Sequence, residues 1–80
     1  QKPQVRIIRM RRVPFMDSTG IHNLEVLIQQ SQKEGVQIVL SGVNPQVRTA
    51  LEKAEFTKLI PAENICSNIN VALERSKELI

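Results

Sequence analysis

The chain has 80 residues, 41% of them apolar, with eleven Lys/Arg against eight Asp/Glu and a net charge of +3. That length allows one small domain at most, residues 1–80, with a modest core. The single cysteine, Cys66, excludes an intramolecular disulfide, and no apolar run approaches the ~18–20 residues of a membrane span or forms a signal peptide.

Five of the cations (Lys2, Arg6, Arg9, Arg11 and Arg12) fall in the first dozen residues. Such a cluster reads either as a solvated strand edge or as attraction to anionic lipid headgroups. No aromatic residues interleave with it to stack bases, so nucleic acid is not expected as a partner. Val5 to Met10 is short, β-branched and ended by Arg-Arg and a proline, which predicts a strand. Arg6 and Arg9 have opposite parity there, so they point to opposite faces.

Ser18 to Glu34 predicts a helix. Ile21, Leu24, Leu27 or Ile28, and Ser31 recur at three- and four-residue steps, and Gly35 follows as a C-terminal stop. Val36 to Leu40 is an apolar run bounded by Gly35 and Ser41-Gly42, as expected of a strand covered on both faces. Asn44-Pro45 opens a second helix with Val47, Ala50, Leu51 and Ala54 on its apolar face. Gly42 to Pro45 suits both a cap and a ligand-touching turn. Lys58-Leu59-Ile60 reads as a short extended segment. Ser67 or Asn68 caps a last helix that places Ile69, Ala72, Leu73, Ser76 and Ile80 on one side, with Glu74, Arg75, Lys77 and Glu78 on the other. Alternation of strand and helix predicts an α/β domain with largely parallel pairing. With so few strands, part of the domain is expected to be missing on the N-terminal side.

The most informative run is Val13-Pro14-Phe15-Met16-Asp17-Ser18-Thr19-Gly20-Ile21. Asp, Ser and Thr are the residue types that satisfy free N–H groups at a helix start, and Gly20 allows close approach to the backbone. The turn presents a hydroxyl and a carboxylate where partial positive charge favours anions. Ser18 is a capping residue, a phosphoacceptor or a docking residue; Asp17 is a second capping acceptor or a charge that shapes the site. His22 lies one turn along, but a Ser-His pair at this spacing with no oxyanion-hole motif gives catalysis little support. No set of metal ligands, phosphate-binding loop or dinucleotide fingerprint is present in the sequence, so no catalytic or metal residue and no cofactor is expected.

Val-Pro-Phe-Met-Asp-Ser-Thr-Gly-Ile, followed by a helix, then Gly35-Val-Gln-Ile-Val-Leu-Ser-Gly-Val43 and Val47-Arg-x-x-Leu51, resembles the STAS domain shared by sulfate transporters and anti-sigma-factor antagonists. The runs Ile8-Arg-Met-Arg-Arg-Val-Pro14 and Leu40-Ser-Gly-Val-Asn-Pro-Gln-Val47, with the closing Asn-Ile-x-x-Ala72-Leu pattern, are similar to the SulP-type anion transporters. The resemblance implies the anti-sigma-factor-antagonist-like α/β fold: a mixed, mostly parallel sheet with helices packed on it, here lacking the first strands and first helix. It implies a non-enzymatic regulatory module of a sulfate or other inorganic anion transporter, on the cytoplasmic face of the membrane. Its partner would be the transmembrane domain of the same protein, with other regulatory proteins and self-association as further options. In the antagonists the serine at the place of Ser18 is phosphorylated, which makes Ser18 the candidate phosphoacceptor. The resemblance makes Asp17, Ser18, Thr19 and Gly20 the candidate partner loop, with Phe15, Met16 and Ile21 as its apolar rim. Some members of the family bind nucleotides weakly; no residue here places such a site. The chain departs from the family at Glu55, where a glycine is usual before Phe56.

Overall fold

The computed structural model describes residues 4–80; Lys2, one of the five N-terminal cations, lies outside them. The elements in order are strand β1 (Gln4–Arg9), helix α1 (Ser18–Lys33), strand β2 (Val36–Ser41), helix α2 (Pro45–Lys53), 3-10 turns at Phe56–Lys58 and Ala62–Asn64, and helix α3 (Ile69–Leu79). β1 and β2 pair in parallel, in register from Gln4 with Val36 to Arg9 with Ser41. A parallel bridge between Leu40 and Ile65 flanks β2 on its other side. The Cys66 N–H donates to the Leu40 carbonyl at 2.8 Å and the Val43 N–H to the Cys66 carbonyl at 3.0 Å.

The period of two in β2 divides the core. Val36, Ile38 and Leu40 pack with Leu24 and Ile28 of α1, Val47 and Leu51 of α2, and Phe56. Val39 faces the opposite side, where Cys66 and Ala72 of α3 meet it and Val5 and Ile7 pack alongside. Both faces of β2 are therefore covered over Ile38, Val39 and Leu40, which accounts for the unbroken apolar run there, while Gln37 stays exposed. Full burial of side chains such as Ile38, Val39 and Leu40 contributes about 1.5–3 kcal/mol each.

Three expectations are corrected. Lys58-Leu59-Ile60 is not extended. Glu55 reverses the chain in a left-handed conformation, and the Ile60 N–H bonds the Phe56 carbonyl at 2.9 Å, so Phe56 and Ile60 tuck into one core within a single turn. The third strand-like contact comes from Ile65 instead. On α3, Leu73 and Ile80 are exposed, while Arg75 is half-buried. The small residues Ala72 and Ser76 let this helix approach the sheet closely, and that rotates its buried stripe toward Arg75 and Leu79. On α2, Val47 and Leu51 fill the core, but Ala50 is half-buried and Ala54 exposed.

Candidate functional site

The segment after β1 is held by contacts from the segment after β2. The Met10 N–H donates to the Ser41 carbonyl at 2.7 Å, and the Val13 N–H closes a turn onto the Met10 carbonyl at 3.0 Å. Arg11 and Arg12 occupy the bend between them. Gly42, at φ +73°, lies against that bend: a Cβ there would stand 2.8 Å from the Arg11 nitrogen and 2.9 Å from its Cα. The Asn44 side chain works at both ends. Its Oδ1 accepts from the Val47 N–H at 2.8 Å and caps α2, while its Nδ2 donates to the Val13 carbonyl at 3.0 Å and the Pro14 carbonyl at 3.3 Å.

This bracing delivers Asp17 to the start of α1. Its backbone is extended, its Oδ1 accepts from the Gly20 N–H at 2.8 Å, and its carbonyl accepts the first helical bond from Ile21 at 3.0 Å. Asp17 is therefore the cap, and Ser18 and Thr19 lie exposed in the first turn without a side-chain hydrogen bond among the described residues. Gly20 does not need glycine's conformational range: a Cβ would meet Asp17 Oδ1 at 3.4 Å, an ordinary contact.

The three rim residues are placed differently. Phe15 is 69% exposed, whereas Met16 and Ile21 are half-buried and pack on the larger core. Ser18 borders a groove of about 430 Å³ with Ile21, His22 and Glu25 of α1, Ala50 and Lys53 of α2, and Ala54 at the C-terminal end of α2. The α2 wall is the part that sequence reasoning missed. Its signal was two alanines and a lysine on one helical face, which read equally well as core. Ser18 and His22 share the groove without a hydrogen bond between them among the described residues.

Cys66 belongs to the opposite face of the sheet. Its thiol contacts the Glu63 carbonyl at 3.3 Å, and burial pushes it above its ordinary value near 9.0, partly opposed by the Arg48 and Arg75 guanidinium groups. Among the described residues no group of His, Cys, Asp or Glu is placed to hold a metal. Among the described residues no helix is long and apolar enough to cross a membrane.

The family model for the STAS domain matches residues 1–72. Sulfate transporter 1.2 of Arabidopsis thaliana is 34% identical over 71 residues, covering 89% of this chain and 11% of its own length. The sulfate transporter of Rattus norvegicus is 35% identical over 52 residues, 65% of this chain and 7% of its own. The crystal structure of a sulfate transporter family protein from Wolinella succinogenes superposes with a TM-score of 0.89 at 38% identity, over 96% of this chain and 63% of that one. The chain thus spans about a tenth of the length of the plant transporter it matches. The parallel β1–β2 pair, the capped Asp-Ser-Thr-Gly helix start and these matches agree, and the chain belongs to the STAS domain family.

Proposed function

We propose that this chain is the regulatory and interaction module of a SulP-type anion transporter, on the cytoplasmic face of the membrane and without catalysis of its own. The observation that carries this reading is its likeness to sulfate transporters over 89% of the chain at 34% identity. The transmembrane domain of the same protein is its first partner; other regulatory proteins or a second copy would use the same kind of surface. The outer edge of β1 carries no strand among the described residues, so its backbone groups are open to strand pairing by a partner. In this reading the contact region is Asp17, Ser18, Thr19 and Gly20 with the groove beside them, and the exposed Phe15 ring supplies apolar contact area.

In a second reading the chain is an anti-sigma-factor antagonist switched by phosphorylation of Ser18, and one observation favours it: Ser18 is exposed and its hydroxyl is not used as the cap. A phosphate there would add about −1.5 to −2 charge. The helix N-terminus favours that charge and Asp17 opposes it. Lys53 is the cation on the facing wall of the groove. The helix should therefore survive while the surface offered to a partner gains a strong anion.

Transport by the full-length protein carrying Ser18→Asp or Ser18→Ala tests the site. Ser18→Asp is expected to lower transport more than Ser18→Ala, with both variants retaining wild-type helicity by circular dichroism. Equal transport by the two variants would remove Ser18 from the contact region and leave it a plain first-turn residue.

A further inference from the structure

Arg9, at the end of β1, and Arg11 and Arg12, in the following bend, line one recess of about 280 Å³. We propose that this recess is a binding site for a doubly charged tetrahedral oxyanion of the sulfate or phosphate class. Such an ion would arrive free in solution or as the phosphomonoester headgroup of a lipid.

Three observations carry the proposal. The first is charge without compensation. Residues 1–16 contain no Asp or Glu, and among the described residues none of the three guanidinium groups is paired with a carboxylate; the ion pairs lie at Glu55–Lys58, Arg75–Glu78 and Glu74–Lys77. Three neighbouring cations repel one another, and a dianion between them removes that cost. The second is rigidity. The bend is closed by the Met10–Val13 hydrogen bond, backed by Gly42 against the Arg11 backbone, and tied to α2 through Asn44. Two of the three arginines thus spring from a backbone that is already fixed, so less ordering is needed on binding. The third is place and size. The recess lies beyond the carboxyl end of a parallel strand, where α/β sheets receive ligands. Its volume of about 280 Å³ leaves room for a tetrahedral oxyanion with part of its hydration water. Guanidinium forks match the paired oxygens of a tetrahedral oxyanion, and a spherical halide cannot use that geometry.

The site is independent of whether Ser18 acts as a switch. Its test is calorimetric titration of the 80-residue chain with sodium sulfate, inorganic phosphate and sodium chloride at constant ionic strength. Flotation with phosphatidylcholine vesicles, with and without phosphatidic acid, runs in parallel. Sulfate and phosphate are expected to bind and chloride not to. Arg9→Ala and Arg12→Ala should each weaken the oxyanions about ten-fold or more. The triple variant R9K/R11K/R12K keeps the net charge but loses the forks, and it should weaken them as well. Binding of the free ions without vesicle retention assigns a soluble ligand. Retention on phosphatidic acid vesicles that free phosphate reverses assigns a headgroup. The proposal is overturned if sulfate binds no tighter than chloride and vesicles are not retained, or if the triple lysine variant binds as wild type. Circular dichroism of each variant separates lost binding from lost folding, and the exposed positions of the three arginines make folding of all variants the expectation.

Discussion

Asp17, Ser18 and Thr19 are three consecutive residues that can each cap a helix, and their type does not say which one does. The choice falls to Asp17 because the braced loop presents it in extended conformation three residues before the Gly20 N–H. Ser18 is then released from a structural role and its hydroxyl faces solvent. Asp17→Ala should cost about 0.5–2 kcal/mol in urea denaturation. Ser18→Ala, a surface change one residue away, should stay within about 0.5 kcal/mol. Reversed magnitudes would return the cap to Ser18.

Turns rather than helices decide how the elements meet, and two positions with positive φ make opposite predictions. Gly42 sits at φ +73° with the Arg11 backbone where a Cβ would go. Gly42→Ala combines a disfavoured conformation with a backbone clash and should destabilise the fold by about 2–4 kcal/mol. Glu55, at φ +59° and ψ +40°, is the non-glycine residue held left-handed among the described residues. It stands where a family glycine was expected, and its turn keeps the reversal that the glycine would make freely. Its ion pair with Lys58 is exposed and offsets little of the strain. Glu55→Gly should therefore stabilise the chain, by about 0.5–1 kcal/mol. Thermal melts of both variants check the pair, and the same sign for both would contradict the geometry.

In the whole molecule, the thin sheet is closed on its second face by α3, and polar links help hold that helix. Arg75 Nε donates to Asn64 Oδ1 at 2.7 Å, and Asn64 Nδ2 donates to the Ile38 carbonyl at 3.0 Å, so one buried asparagine joins α3 to the central strand. Cys66 lies in the same layer with its thiol pushed above its ordinary value near 9.0, chiefly by burial. The folded state thus holds the thiol proton more tightly than the unfolded chain does. The resulting stabilisation is complete below the unfolded value and is lost as pH rises through the folded one. Urea midpoints measured from pH 8 to 10.5 should fall on the alkaline side. Cys66→Ala should remove the part of that fall due to the thiol, leaving a shallower slope. Parallel slopes for the two proteins would show that burial does not hold the proton.

Both strands, the three helices in their order and the Asn44 cap were legible in the amino-acid sequence, whereas the choice between Ser67 and Asn68 as cap of α3 fell to Asn68, whose Oδ1 accepts from the Val71 N–H at 2.9 Å. These rest on periodicity and on capping chemistry within a few residues, interactions that are local and nearly independent of context. The Asp-Ser-Thr-Gly turn was legible for the same reason. Which capping residue bonds, which side of α3 is buried and where the chain turns after α2 depended on contacts between distant segments. Ala72 and Ser76 had to meet the sheet before Arg75 could be placed, and Gly42 had to meet Arg11 before the bend existed. The groove beside Ser18 belongs with these, because its two walls, from α1 and from the α2 end, come together only in the fold. Residue types specified the elements and their ends; the tertiary structure alone decided which side chains share a surface.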